Sequence, residues 1–70
     1  PSPAKNEFHL TIDPSITGIH KIQIFNVLGE KVFETNTISE NITFGQIPQG
    51  MYFVKIISDT FEVTKKLVIE

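Results

Sequence analysis

The side chains that could do chemistry in this chain are few and scattered. His9 and His20 are the only imidazoles, and each sits on the polar side of an alternating stretch. Neither has a second His or a carboxylate at the spacing a tetrahedral metal site uses, so both read as surface strand residues. Asp13, Asp59 and Glu62 lack the close acidic spacing of a calcium loop. The serines fall in turn or linker contexts, and no G-x-S-x-G, H-E-x-x-H or phosphate-loop pattern occurs. A hydrolytic triad needs Ser, His and an acid converging on a pocket, which 70 residues of paired strands leave little room to build. The expectation is a chain with no catalytic residue, no cofactor and no metal. Asn41-Ile42-Thr43 spells a glycosylation sequon, but it opens an apparent strand, where coincidence is the better reading.

The elements are more informative than the reactive groups. Forty per cent of the residues are hydrophobic, six of them Phe, which is a globular composition for one small domain. The chain has no cysteine, so no disulfide or thiolate site contributes. A net charge of −2 argues against a nucleic-acid partner. No apolar run approaches the ~20 residues of a membrane-spanning helix. The chain opens at Pro1 without a Met or an apolar leader, so it is expected to be a piece of a longer protein. Pro1-Ser2-Pro3 suggests an extended linker over residues 1–6, with the folded domain over 7–70.

Alternation of period two dominates. Phe8, Leu10 and Ile12 share a face, and Asp13-Pro14-Ser15 ends that strand, with Gly18 closing the loop. Ile22 and Ile24 alternate with Lys21 and Gln23. Asn26-Val27-Leu28-Gly29 reads as a type I turn completed by Gly29 at positive φ, with Asn26 bracing the loop. In the following strand Val32 is expected inward and Phe33 outward. A short edge strand is expected around Thr37, then an Ile42/Phe44 alternation and a turn at Gly45 to Gly50 that tucks Ile47 inward. Tyr52, Val54 and Ile56 are expected inward and Lys55 outward. The last strand has Phe61, Val63, Leu67 and Ile69 in phase, and a bulge near Thr64 to Lys66 would excuse Lys65. Together these predict an all-β fold, a small antiparallel Ig-like β-sandwich of six to seven strands. Phe25, Phe33 and Phe53 are left on nominal outer faces, as a protein contact or weak homodimer surface in preference to a sugar platform.

In order and spacing, four segments resemble the C-terminal sorting domain of the type IX secretion system of Bacteroidota. They are Pro1-Ser2-Pro3-Ala4 before Phe8-His9-Leu10-Thr11-Ile12; Ile24-Phe25-Asn26-Val27-Leu28-Gly29; Ile47-Pro48-Gln49-Gly50-Met51-Tyr52-Phe53-Val54; and Thr64-Lys65-Lys66-Leu67-Val68-Ile69. Ser2 stands where the family usually has Asn, and Glu70 where many members finish with a basic residue. The resemblance implies a non-catalytic sorting signal for a cargo protein fused upstream. It implies the outer-membrane translocon and a sortase-like peptidase as partners, with cleavage just upstream of or around Pro1 to Asn6. Passage through the periplasm to the cell surface or medium, often with attachment to surface lipopolysaccharide, is implied likewise. On that reading the sorting-motif residues are Pro3, Asn26, Gly29, Pro48, Gly50, Tyr52, Lys65 and Lys66. The rival is a fibronectin-like adhesion or carbohydrate-binding sandwich, which an internal or repeated position in a longer protein would favour.

Overall fold

The period-two alternation folds into strands in this computed structural model, which describes residues 8–13, 15–39, 41–45 and 47–69, with 8, 9, 41, 43 and 44 as backbone alone. Six strands lie among the described residues: β1 (Phe8–Thr11), β2 (Ile19–Asn26), β3 (Lys31–Thr35), β4 (Asn41–Phe44), β5 (Gly50–Ser58) and β6 (Glu62–Ile69). β1 and β4 form one sheet, and the other runs β3-β2-β5-β6. Every pairing is antiparallel. Two sheets packed over a shared core, with the chain crossing between them after β1, β3 and β4, make the expected Ig-like sandwich.

The core is where the inward sides of the strands meet. Ile22 and Ile24 of β2 are fully buried, and the register sets them opposite Ile56 and Val54 of β5. Ile42 of β4 and Ile12, just past β1, close the core from the other sheet, with Ile47 and Ile69 at its margin. Tyr52 and Val54 are buried and Ile56 is half-buried. Lys55, one residue out of phase, reaches Glu62 at 3.2 Å on the opposite face. A one-residue slip would put that ammonium into the core, so Lys55 pins the register of β5.

Three expectations are corrected. Phe33, not Val32, packs against the core, while Val32 is 43% exposed. Ile24 pairs with Phe33 but Phe25 pairs with Lys31, so β3 carries one extra residue there. That bulge reverses the inside-outside parity between the hairpin loop and the rest of the strand. The bulge expected at Thr64 to Lys66 is absent, since β5 and β6 stay in unbroken register from Gly50↔Ile69 to Ile57↔Glu62. Lys65 keeps its inward phase and is exposed all the same, because on the outermost strand it borders an open cleft. No strand forms around Thr37, so the count is six among the described residues; its backbone N–H instead bonds the Thr35 hydroxyl at 3.0 Å. Phe61 precedes β6 and is 40% exposed. Pro3 and the side chains of Phe8, His9 and Phe44 lie outside the described residues.

Candidate functional site

The residues singled out in the sequence lie far apart along the chain, and the sheet register gathers most of them at one end of the four-stranded sheet. Asn26 is the Cα partner of Tyr52, which is in turn the partner of Leu67. Gly50 faces Ile69 at the same end. The β2–β3 loop, the turn leading into β5 and the end of β6 therefore share one edge of the molecule.

Asn26 builds the loop. Its Oδ1 accepts hydrogen bonds from the backbone N–H of Leu28 at 2.9 Å and of Glu30 at 3.0 Å, and its Nδ2 donates to Glu30 Oε1 at 2.9 Å. The backbone closes underneath, with Gly29 N donating to Asn26 O and Asn26 N to Glu30 O. Gly29 has φ +86°, the left-handed region that completes a type I turn with a G1 bulge. The loop holds Val27 and Leu28 out in solvent, Leu28 at 80% exposure.

Pro48 and Tyr52 form a second bracket. The Tyr52 hydroxyl donates to the Pro48 carbonyl at 2.6 Å while its ring is buried in the core. A tyrosine near the start of a strand, bonded back to the backbone of the connection from the opposite sheet, is the tyrosine corner of Ig-like sandwiches. Gly50 sits under it with φ +147°, and a Cβ there would lie 3.8 Å from the Tyr52 ring.

Lys65 and Lys66 sit on consecutive rows of β6, opposite Val54 and Phe53, both exposed and pointing to opposite faces. They differ from the other described lysines. Lys21 and Lys31 converge on Glu34, and Lys55 pairs with Glu62. Among the described residues Lys65 and Lys66 have no carboxylate partner.

The remaining polar groups are occupied structurally. The Lys31 hydrogen bond, then that from Gln23, holds the Glu34 carboxyl below its ordinary range. Asp13 is lowered likewise by the Ser15 backbone N–H and then its hydroxyl, both bonded to Oδ1 at 2.9 Å. Asp59 lies 3.7 Å from His20 Nε2, close enough to pair when the imidazole is protonated. Asp13, Asp59 and Glu62 thus each serve a separate local contact. Among the described residues no group of three or more His, Cys, Asp or Glu could hold a metal ion. The Asn41-Ile42-Thr43 sequon lies in β4, whose backbone pairs with β1, and Ile42 is buried.

The outer face expected for Phe25 and Phe53 is an apolar surface on the outside of the larger sheet, and Met51 and Val68, which the sequence reading did not place there, extend it. Phe25 and Phe53 are cross-strand partners there, and Met51 pairs with Val68 beside them. Met51, Phe53 and Val68 are all exposed. The signal was present in the alternation, since Met51 and Phe53 are out of phase with Tyr52 and Val54. With no aligned nucleophile, base or metal cage among the described residues, this end of the domain offers shape and apolar surface, and farther along β6 stand two lysines that have no acidic partner among the described residues. Such a surface suits recognition.

A family model described as a secretion system C-terminal sorting domain matches residues 1–70. No curated protein and no solved structure matches the chain.

Proposed function

Because this chain belongs to the secretion system C-terminal sorting domains, the sorting signals of the type IX secretion system, we propose that it is a non-catalytic label, read by its folded surface, for a cargo fused before residue 1. The cargo is carried through the periplasm and the outer-membrane translocon to the cell surface or medium. A sortase-like peptidase then separates cargo from label around residues 1–6. The observation that carries this reading is the family match over the whole chain. The convergence of Asn26, Gly29, Pro48, Gly50 and Tyr52 at one end of the sandwich supports it, because the chain's special residues are spent on loop shape and corner geometry.

Lys65 and Lys66, on an edge strand and without acidic partners among the described residues, are the charged part of the proposed signal, and Pro3 belongs to the segment that the peptidase would meet. The test is a periplasmically targeted fluorescent protein fused to residues 1–70 in a Bacteroidota strain with an intact type IX system. The reporter should reach the surface or medium, and removing Lys65 to Glu70 should leave it in the periplasm. If the intact fusion stays periplasmic while an established sorting domain in the same vector is exported, the reading is wrong and a screen against glycans takes its place.

A further inference from the structure

The two sheets are of unequal width, and the mismatch leaves a gap. Neighbouring strands lie ~4.8 Å apart, so two strands span roughly half the breadth of four. Under the uncovered part lies an open cleft of about 280 Å³ between the end of β1 and β6. Leu10, Ile12 and Ile16 line one wall; Ile56, Val63 and Phe61 line the other. Lys65 reaches the cleft from β6 and Asp13 from the opposite rim, the latter with its carboxylate already engaged by Ser15.

β6 borders this cleft and is the outermost strand of its sheet, so among the described residues no strand pairs with its outer edge. Protected edges are short, bulged or interrupted by proline. This one runs eight residues, from Glu62 to Ile69, with no proline and no break in register. Lysine on an edge also discourages pairing with like chains. Here, among the described residues, two neighbouring lysines lack acidic partners while Lys21, Lys31 and Lys55 all have them.

We propose that β6 receives an extended acidic segment of a partner protein by strand addition, its apolar side chains entering the β1–β6 cleft and two adjacent carboxylates meeting Lys65 and Lys66. The alternation of β6 dictates the partner's pattern. In antiparallel register the guest residues opposite Val63 and Leu67 share the inner face and are apolar, and those opposite Lys65 and Lys66 are acidic, one on each face. Main-chain hydrogen bonds would supply affinity, and the charge pair would fix register. This deepens the sorting reading and rests on it only for where the partner is found.

The probe is the peptide Thr-Val-Glu-Glu-Thr-Ile, blocked at both ends and titrated into residues 1–70 while amide shifts and hydrogen exchange are followed by NMR. Binding should shift and protect the amides of β6 and shift the side chains of Ile12, Val63 and Phe61. The matching Thr-Val-Lys-Lys-Thr-Ile peptide should bind about ten-fold more weakly, as two ion pairs become two repulsions. In the Lys65→Glu/Lys66→Glu chain the preference should reverse. Both side chains are exposed, and an unchanged NMR spectrum of the core residues confirms that this variant folds. Equal affinity for both peptides, shifts confined to the Phe25/Phe53 face, no binding by either, or outer-edge amides of β6 already protected in the free chain each overturn the proposal. Export of the fused reporter is read separately, so a chain that exports but takes no peptide defeats this inference alone.

Discussion

Replacing Gly29 separates backbone strain from packing unusually cleanly, because a Cβ built there meets nothing within 4 Å while φ is +86°. For Ala no clash or lost contact enters, and the whole cost of its methyl group is that of holding an L-residue in the left-handed region. That cost is about 1 kcal/mol for Ala and ~2 kcal/mol for β-branched Val, with Asn well below Ala. For a domain of this size 1 kcal/mol moves the melting temperature by roughly 4–8 °C. Gly29→Ala should therefore lower it by ~4–8 °C, Gly29→Val by about twice that, and Gly29→Asn by only a few degrees. D-alanine in place of Gly29 prefers positive φ and narrows the unfolded ensemble, so it should raise stability by about 0.4–1 kcal/mol. The assay is thermal and urea unfolding followed by far-UV circular dichroism on chains made by chemical synthesis. Identical melting temperatures for the L- and D-alanine chains would refute the strain argument. An unchanged Gly29→Val chain would remove the turn assignment as well.

The β3 bulge predicts an inverted pair: Phe33→Ala should cost on the order of 2–3 kcal/mol, below a fully buried Phe because Phe33 is only half-buried, and Val32→Ala less than about 0.5 kcal/mol. Urea midpoints in the opposite order would restore a strand without the extra residue. Tyr52→Phe removes the donor to the Pro48 carbonyl and should cost about 1–2 kcal/mol in unfolding free energy with little change in m-value. A neutral result would mean that the corner bond contributes no stability.

How much of this was legible depended on how local the deciding physics was. The Asn26–Gly29 loop was readable because side-chain capping and positive φ act within five residues. The inward phase of Tyr52, Val54 and Ile56 was readable because Lys55 makes the alternative register costly. The inward side of Phe33 is not legible, because a bulge is decided between β2 and β3 and residue types along β3 do not announce it. Lys65 needs no bulge, since it is exposed at an open cleft beside the outermost strand, a property of the whole topology. The Pro48-Gly50-Tyr52 motif was visible, but its bond depends on the path of the connection from β4 to β5. The gathering of the motifs at one end follows from strand order and register, which spacing does not encode. The β1–β6 cleft depends on how the two sheets meet, and alternation places Met51 outward without showing that Val68 lies beside it.

The central claim is that this chain is an address read by the type IX system. It is tested most directly by the extracellular fraction of a periplasmically targeted reporter fused to residues 1–70, compared between a wild-type Bacteroidota strain and an isogenic strain lacking the outer-membrane translocon. The account predicts a reporter mostly at the surface or in the medium of the first strain and retained in the periplasm of the second. Equal distribution in the two strains, whether exported or retained in both, would contradict it.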